Sequence, residues 1–137
     1  MGQVRAAATT NVSAPPAEVL AFLRNGEQRP RILTGNYTQF SVAEEGVLAF
    51  HWSAGRRERD FRLLPSEADG VITERDELSS FVNTWEVKPS GQGSTVTLAA
   101  TWDGASGFGG LMEGLFAPLG MRKIYSQVLD NLAAVLS

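Results

Sequence analysis

Between Asn36 and Trp102 the hydrophobic residues recur with a period of two, and each interruption is too short to hold a crossover helix. Phe40 and Val42 alternate with Gln39 and Ser41 as far as a turn at Glu45-Gly46, after which Leu48, Phe50 and Trp52 alternate with Val47, Ala49 and His51. Beyond Ala54-Gly55 a third run carries Arg57, Arg59, Phe61 and Leu63 on one face, and Pro65 is expected to close it. Ala68-Asp69-Gly70 turns into a run over 71–77, and a bend at Leu78-Ser79-Ser80 leads to Phe81, Asn83, Trp85 and Val87 on one face. A turn over 89–93 then gives Val96, Leu98, Ala100 and Trp102 the same alternation. About six consecutive strands with such short joints leave an antiparallel meander as the fold of this region.

The flanks have a different period. Residues 3–12 are extended and stop at Ser13-Ala14-Pro15-Pro16, where tandem prolines start a helix whose apolar face is Val19, Leu20, Phe22 and Leu23. Glu18 faces the positive end of its peptide dipoles, Gly26 ends it, and Pro30 weakens a second helical piece over 27–33. After Asp103-Gly104 the period is helical again. A first stretch carries Phe108, Leu111, Met112, Leu115, Phe116 and Leu119, and Pro118 with Gly120 must kink or split it. Ile124-Tyr125, Val128-Leu129, Leu132 and Val135-Leu136 then make one apolar face to the end. This order predicts one α+β domain over 1–137, with a curved antiparallel sheet of about seven strands wrapped around a long C-terminal helix and two short helices after the first strand.

Composition narrows the chemistry. With 43% hydrophobic and 20% charged residues the chain can bury a core without staples. It has no cysteine and one histidine, His51, which excludes Cys/His zinc sites, thiol redox chemistry and most catalytic triads. Neither a cofactor nor a metal is expected. Residues 1–62 carry a net +2 and residues 63–137 a net −5, so neither half has the footprint of a nucleic-acid binder. No run approaches a membrane span and no basic n-region opens the chain, which reads as cytoplasmic, a monomer or homodimer. Met1-Gly2 lacks the downstream Ser or Thr of a myristoylation signal, since Ala6 stands there.

Several segments together resemble the START-like or SRPBCC superfamily, the helix-grip proteins that include polyketide cyclases/dehydrases and lipid-transfer domains. They are Val12-Ser13-Ala14-Pro15-Pro16-Ala17-Glu18-Val19 with Phe22-Leu23, then Trp85 to Pro89 with Gly93-Ser94-Thr95-Val96-Thr97, and Leu129-Asp130-Asn131-Leu132. The resemblance implies a hydrophobic cavity between sheet and C-terminal helix holding a lipid, polyketide, isoprenoid or similar molecule. It also implies a polyketide cyclase or aromatase, or a ligand-dependent regulator or quinone chaperone, as alternatives in the same cavity.

Alternation places Phe50, Trp52, Phe61, Phe81, Trp85, Leu98 and Trp102 on the inner face, where rings can stack on a flat ligand or simply pack. Leu115, Leu119 and Tyr125 face them from the C-terminal segment. Arg59 and Asn83 also point inward, and a buried guanidinium or amide requires a partner: a ligand oxygen, water, or an acid such as Glu113. Arg75 is a weaker candidate of the same kind. His51 points away from the cavity, and Glu44-Glu45 and Asp76-Glu77 read as solvated carboxylates beside turns. Small residues line the first strand at Val4, Ala6, Ala8 and Thr10, which either leaves space or lets the helix approach closely. The glycines over 104–110 match neither phosphate-binding pattern and read as a flexible entry to the last helix, a candidate gate over the cavity mouth.

Overall fold

The structure, a computed structural model, describes residues 3–55, 57–103 and 118–137. Seven strands form one antiparallel sheet: β1 (Gln3–Val12), β2 (Tyr37–Val42), β3 (Leu48–Ala54), β4 (Arg57–Ala68), β5 (Val71–Asp76), β6 (Val82–Ser90) and β7 (Gly93–Asp103). Their spatial order is β1-β7-β6-β5-β4-β3-β2, so the meander closes only by laying β1 along β7, from Gln3 opposite Asp103 to Val12 opposite Ser94. Helix α1 (Pro16–Arg24) and a 3-10 helix (Gly26–Arg31) fill the connection between β1 and β2. Helix α2 (Pro118–Val135) ends the fold.

The expected curved sheet, terminal helix and short helices are therefore present. Helix α2 starts at the proline where the sequence required a break, and it buries Met121, Tyr125, Val128, Leu129 and Leu132 along one stripe. It packs chiefly on β1. Ala6 and its cross-strand partner Ala100 are buried there, so the small residues of these strands serve close approach rather than leaving space.

Two strands differ from the sequence reading. Strand β4 does not stop at Pro65 but runs through it to Ala68. β3 pairs with β4 only as far as Leu48 opposite Leu63, whereas β5 continues to pair with residues 63–68. Past Leu63 one side of β4 has no strand beside it, and there a missing N–H costs no ladder bond. In β2, a bulge between Thr38 and Ser41, with Gln39 at φ 55°, turns Phe40 onto Phe50, the two rings stacking at 6.3 Å.

Candidate functional site

Among the described residues, the inward-facing rings between sheet and helix touch one another. Phe50, Phe61, Phe81 and Trp102 form a chain of ring contacts with centroids 5.4, 5.0 and 6.4 Å apart. Among the described residues, two voids of about 20 Å³ lie beside these rings, each with room for about one water. The first is lined by Phe50, Trp52, Phe61, Phe81, Asn83 and Tyr125 among others, the second by Phe50, Asn83, Trp85, Leu98 and Tyr125 among others. Trp102 is fully buried and borders neither.

A larger space lies at the flank of the sheet. Where β3 leaves the side of β4, the 3-10 helix and α1 cover the gap, and beneath them is a chamber of about 280 Å³. Its deep wall is Leu23, Leu48, Ile72, Arg29 and Glu74, all buried; its rim is Arg24, Gly46, Ser66 and Glu67, all exposed. Arg29, Leu48 and Glu74 also border the second void, and that void shares Tyr37, Phe50, Leu63, Asn83 and Tyr125 with the first. The three spaces thus follow one another from the rim to the aromatic interior.

Polar side chains run along the same line. Arg29 Nη2 donates to Glu74 Oε2 at 2.9 Å and to the Leu23 carbonyl at 2.8 Å, with the guanidinium 5.1 Å from the Trp85 ring. Glu74 Oε1 accepts from Asn83 Nδ2 at 2.9 Å and from Trp85 Nε1 at 3.2 Å, and Asn83 Oδ1 accepts from the Tyr125 hydroxyl at 2.7 Å. Arg29 is 4% exposed and Glu74 1%. Such a pair endures in a dry interior only because each charge faces the other and the remaining lone pairs are bonded. Arg29 Nε is the exception: it is buried and has no hydrogen-bond partner.

Burial pushes the Tyr125 phenol well above its ordinary value, with Tyr37 and Glu74 nearby adding to the effect. Burial likewise raises Tyr37, and the hydrogen bond from Trp52 only partly offsets it. Both hydroxyls therefore keep their protons at neutral pH, and Tyr125 donates to Asn83.

The sequence-derived candidates separate by where the structure places them. Phe50, Trp52, Phe61, Phe81, Asn83, Trp85, Leu98 and Tyr125 converge on the two voids. Arg59 instead bonds Asp76 at 3.0 Å and lies 4.5 Å over the Phe61 ring, and it borders none of the three spaces. Burial lowers its pKa, and Asp76 and Asp60 counter this. Leu119, in the first turn of α2, is 75% exposed, because the stripe of α2 that meets the sheet begins at Met121. Leu115, Glu113 and the glycines over 104–110 lie outside the described residues.

Asp76 is not the solvated turn carboxylate its position promised. Its side chain is fully buried, accepting from Arg59, from Ser79 Oγ at 2.6 Å and from the Arg62 backbone N–H at 3.0 Å. Arg75, between the two inward acids, is exposed. His51 does face outward, between Asp60 at 2.7 Å and Glu58 at 2.8 Å. Arg29 and Glu74 were missed. Ile72, Glu74 and Asp76 share the inward parity of β5, and that alternation was the available signal.

A sequence profile described as polyketide cyclase / dehydrase and lipid transport matches residues 3–137. The chain belongs to this family. Among solved structures, the KanY protein is 39% identical, with 99% of each chain covered and a TM-score of 0.87. Major latex-like protein 151 from Panax ginseng is 12% identical over 98% of this chain and 97% of its own, with a TM-score of 0.72. The di-domain ARO/CYC protein BexL is 13% identical, covering 98% of this chain and 50% of its own, with a TM-score of 0.70. No curated protein matches the chain. The two distant likenesses carry the fold, and family membership carries the expectation of either apolar ligand binding or cyclase-type chemistry. Among the described residues, no helix of this family member is long and apolar enough to cross a membrane.

Proposed function

We propose that the protein binds one compact apolar or aromatic molecule, received in the chamber beneath the 3-10 helix and extending toward the aromatic interior. The observation that carries this reading is the chamber itself: about 280 Å³, walled by Leu23, Leu48 and Ile72, and continuous in its lining with the voids that the tryptophans and Tyr125 enclose. Its volume is near the lower limit of ligand pockets, about 300 Å³. A benzene-binding cavity measures about 150 Å³, so the chamber suits one or two fused rings and is too small for a phospholipid. The proposed seat therefore lies not between the middle of the sheet and the terminal helix but at the open flank of β4.

Binding without turnover is the better supported reading. A cyclase or aromatase needs a group able to take or give a proton at the substrate. Among the described residues, the Tyr125 hydroxyl is committed to Asn83 and both oxygens of Glu74 already accept hydrogen bonds.

Thermal unfolding with naphthalene as the probe tests this. A guest bound only by the folded state raises Tm in a saturable way, and Val42→Phe, which fills the chamber from its half-buried wall, is expected to remove that rise. No rise up to the solubility limit of naphthalene, or one that Val42→Phe leaves intact, contradicts the proposal.

A further inference from the structure

The cover of the chamber is held unevenly, and on the reading that the chamber is a binding site this bears on how a guest enters. At depth the 3-10 helix is fixed through Arg29, which pairs with Glu74 at 2.9 Å, and just past its end the Ile32 carbonyl accepts from Asn131 Nδ2 of α2 at 2.9 Å. At Gly26 the cover lies directly on the wall. A Cβ there would stand 3.0 Å from Leu48 Cδ2 and 3.1 Å from Val42 Cγ2, so this side has no slack. At the rim the link is of another kind. Arg24, the last residue of α1, reaches Glu67 on the overhang of β4, donating from Nε to Oε1 at 2.7 Å and from Nη2 to Oε2 at 3.0 Å. Glu67 shares the inward parity of Phe61, Leu63 and Pro65, which turns its carboxylate toward the cover. Both side chains stay partly in water, 54% and 30% exposed.

We propose that the Arg24–Glu67 pair is a latch across the entrance to the chamber, parting to let a guest pass and closing again behind it. A two-pronged contact between guanidinium and carboxylate fixes two long side chains in one plane, here from α1 to β4 over the rim that both residues line. Water competes for charges this exposed, so the pair opens at small cost. The Arg29–Glu74 pair cannot take that role, since parting it would leave two bare charges in a dry interior. The latch closes over the empty and the occupied chamber alike. Its loss therefore speeds entry and exit together and leaves affinity unchanged.

Exchange of 1-acetylnaphthalene, a two-ring probe whose acetyl methyl gives one proton resonance, tests this by NMR line shape and by titration against the full chain. In Glu67→Gln and in Arg24→Gln the rates of binding and release are both expected to rise about two- to fivefold, the range an exposed pair provides, with Kd within about twofold of wild type. The exchanged pair Arg24→Glu/Glu67→Arg should return both rates toward wild type. Arg62→Gln, which breaks a comparably exposed pair with Glu77 away from the chamber, should leave them unchanged. In about 1 M salt, which screens charges in water within about 3 Å, the wild type should approach the rates of Glu67→Gln in the same salt. Rates unmoved by the single variants, or raised there and not slowed again by the exchanged pair, contradict the latch. Release alone accelerating, with affinity falling in proportion, makes the pair part of the guest's seat and overturns the latch while the binding site stands. No binding to the wild type overturns the reading of the chamber itself.

Discussion

Glu74 joins more of the interior than its single side chain would suggest, since Arg29, Asn83 and Trp85 all donate to it and Asn83 passes the network on to Tyr125. Glu74→Gln keeps an acceptor for Asn83 and Trp85 but leaves the Arg29 guanidinium uncompensated in a site 4% exposed. The expected loss is about 3–5 kcal/mol, measured by urea unfolding. Arg29→Met/Glu74→Gln should lose less than the sum of the two single variants, and strict additivity would contradict the pairing. Glu74 could have been found in the sequence, because it shares the parity of Ile72. Arg29 could not, since it stands in a short segment interrupted by Pro30, where no period indicates which side chains turn inward. Arg59 was legible as an inward charge but not its partner: Asp76 is beside a bend, where solvent exposure is the ordinary outcome. On the outer face, hydrogen bonding to Asp60, aided by Glu58, raises the pKa of His51 against an opposing desolvation effect. A folded pKa above the unfolded value of about 6.5 means that this contribution is fully present below about pH 6.5 and fades as pH rises through the raised value. Stability should therefore fall as the pH of the wild type rises above about 6.5, and His51→Gln should flatten that slope. An unchanged slope would contradict the imidazolium bridge.

At the scale of elements, the period-two pattern and the turns made strand number and order legible, because an inner face that must be buried fixes register. The extent of β4 was not legible. Pro65 ends a central strand but not one with an open side, and whether β3 still accompanies β4 at that point depends on pairing that only the assembled sheet decides. The overhang of β4 over residues 64–68 is what makes room for the chamber. The closing of β1 on β7 depends on a glycine at the other end of the sheet. A Cβ on Gly93 would stand 2.3 Å from the Val12 carbonyl oxygen, so the strand ends could not keep their positions. Gly93→Ala is expected to cost about 1–3 kcal/mol by overpacking, whereas Gly35→Ala, which meets nothing within 4 Å, should remain within about 0.5 kcal/mol. Equal effects in chemical denaturation would contradict the close approach.

For the whole molecule, the architecture followed from the order of periods, and the lining residues from alternation, but the position of the empty space did not. Alternation says which side chains point inward and not whether they meet. Among the described residues the aromatic rings touch one another in the middle, and a chamber of about 280 Å³ opens at the flank. The proposed function depends on a guest in that flank chamber. The most direct measurement is the set of intermolecular nuclear Overhauser effects between 1-acetylnaphthalene and the methyl groups of the wild-type protein. Effects are expected to Leu23, Leu48, Ile72 and Val42, which line the chamber, and none to Leu78, which is 50% exposed on the surface. Effects confined to exposed methyls, or none at saturating probe, would contradict a guest in the chamber.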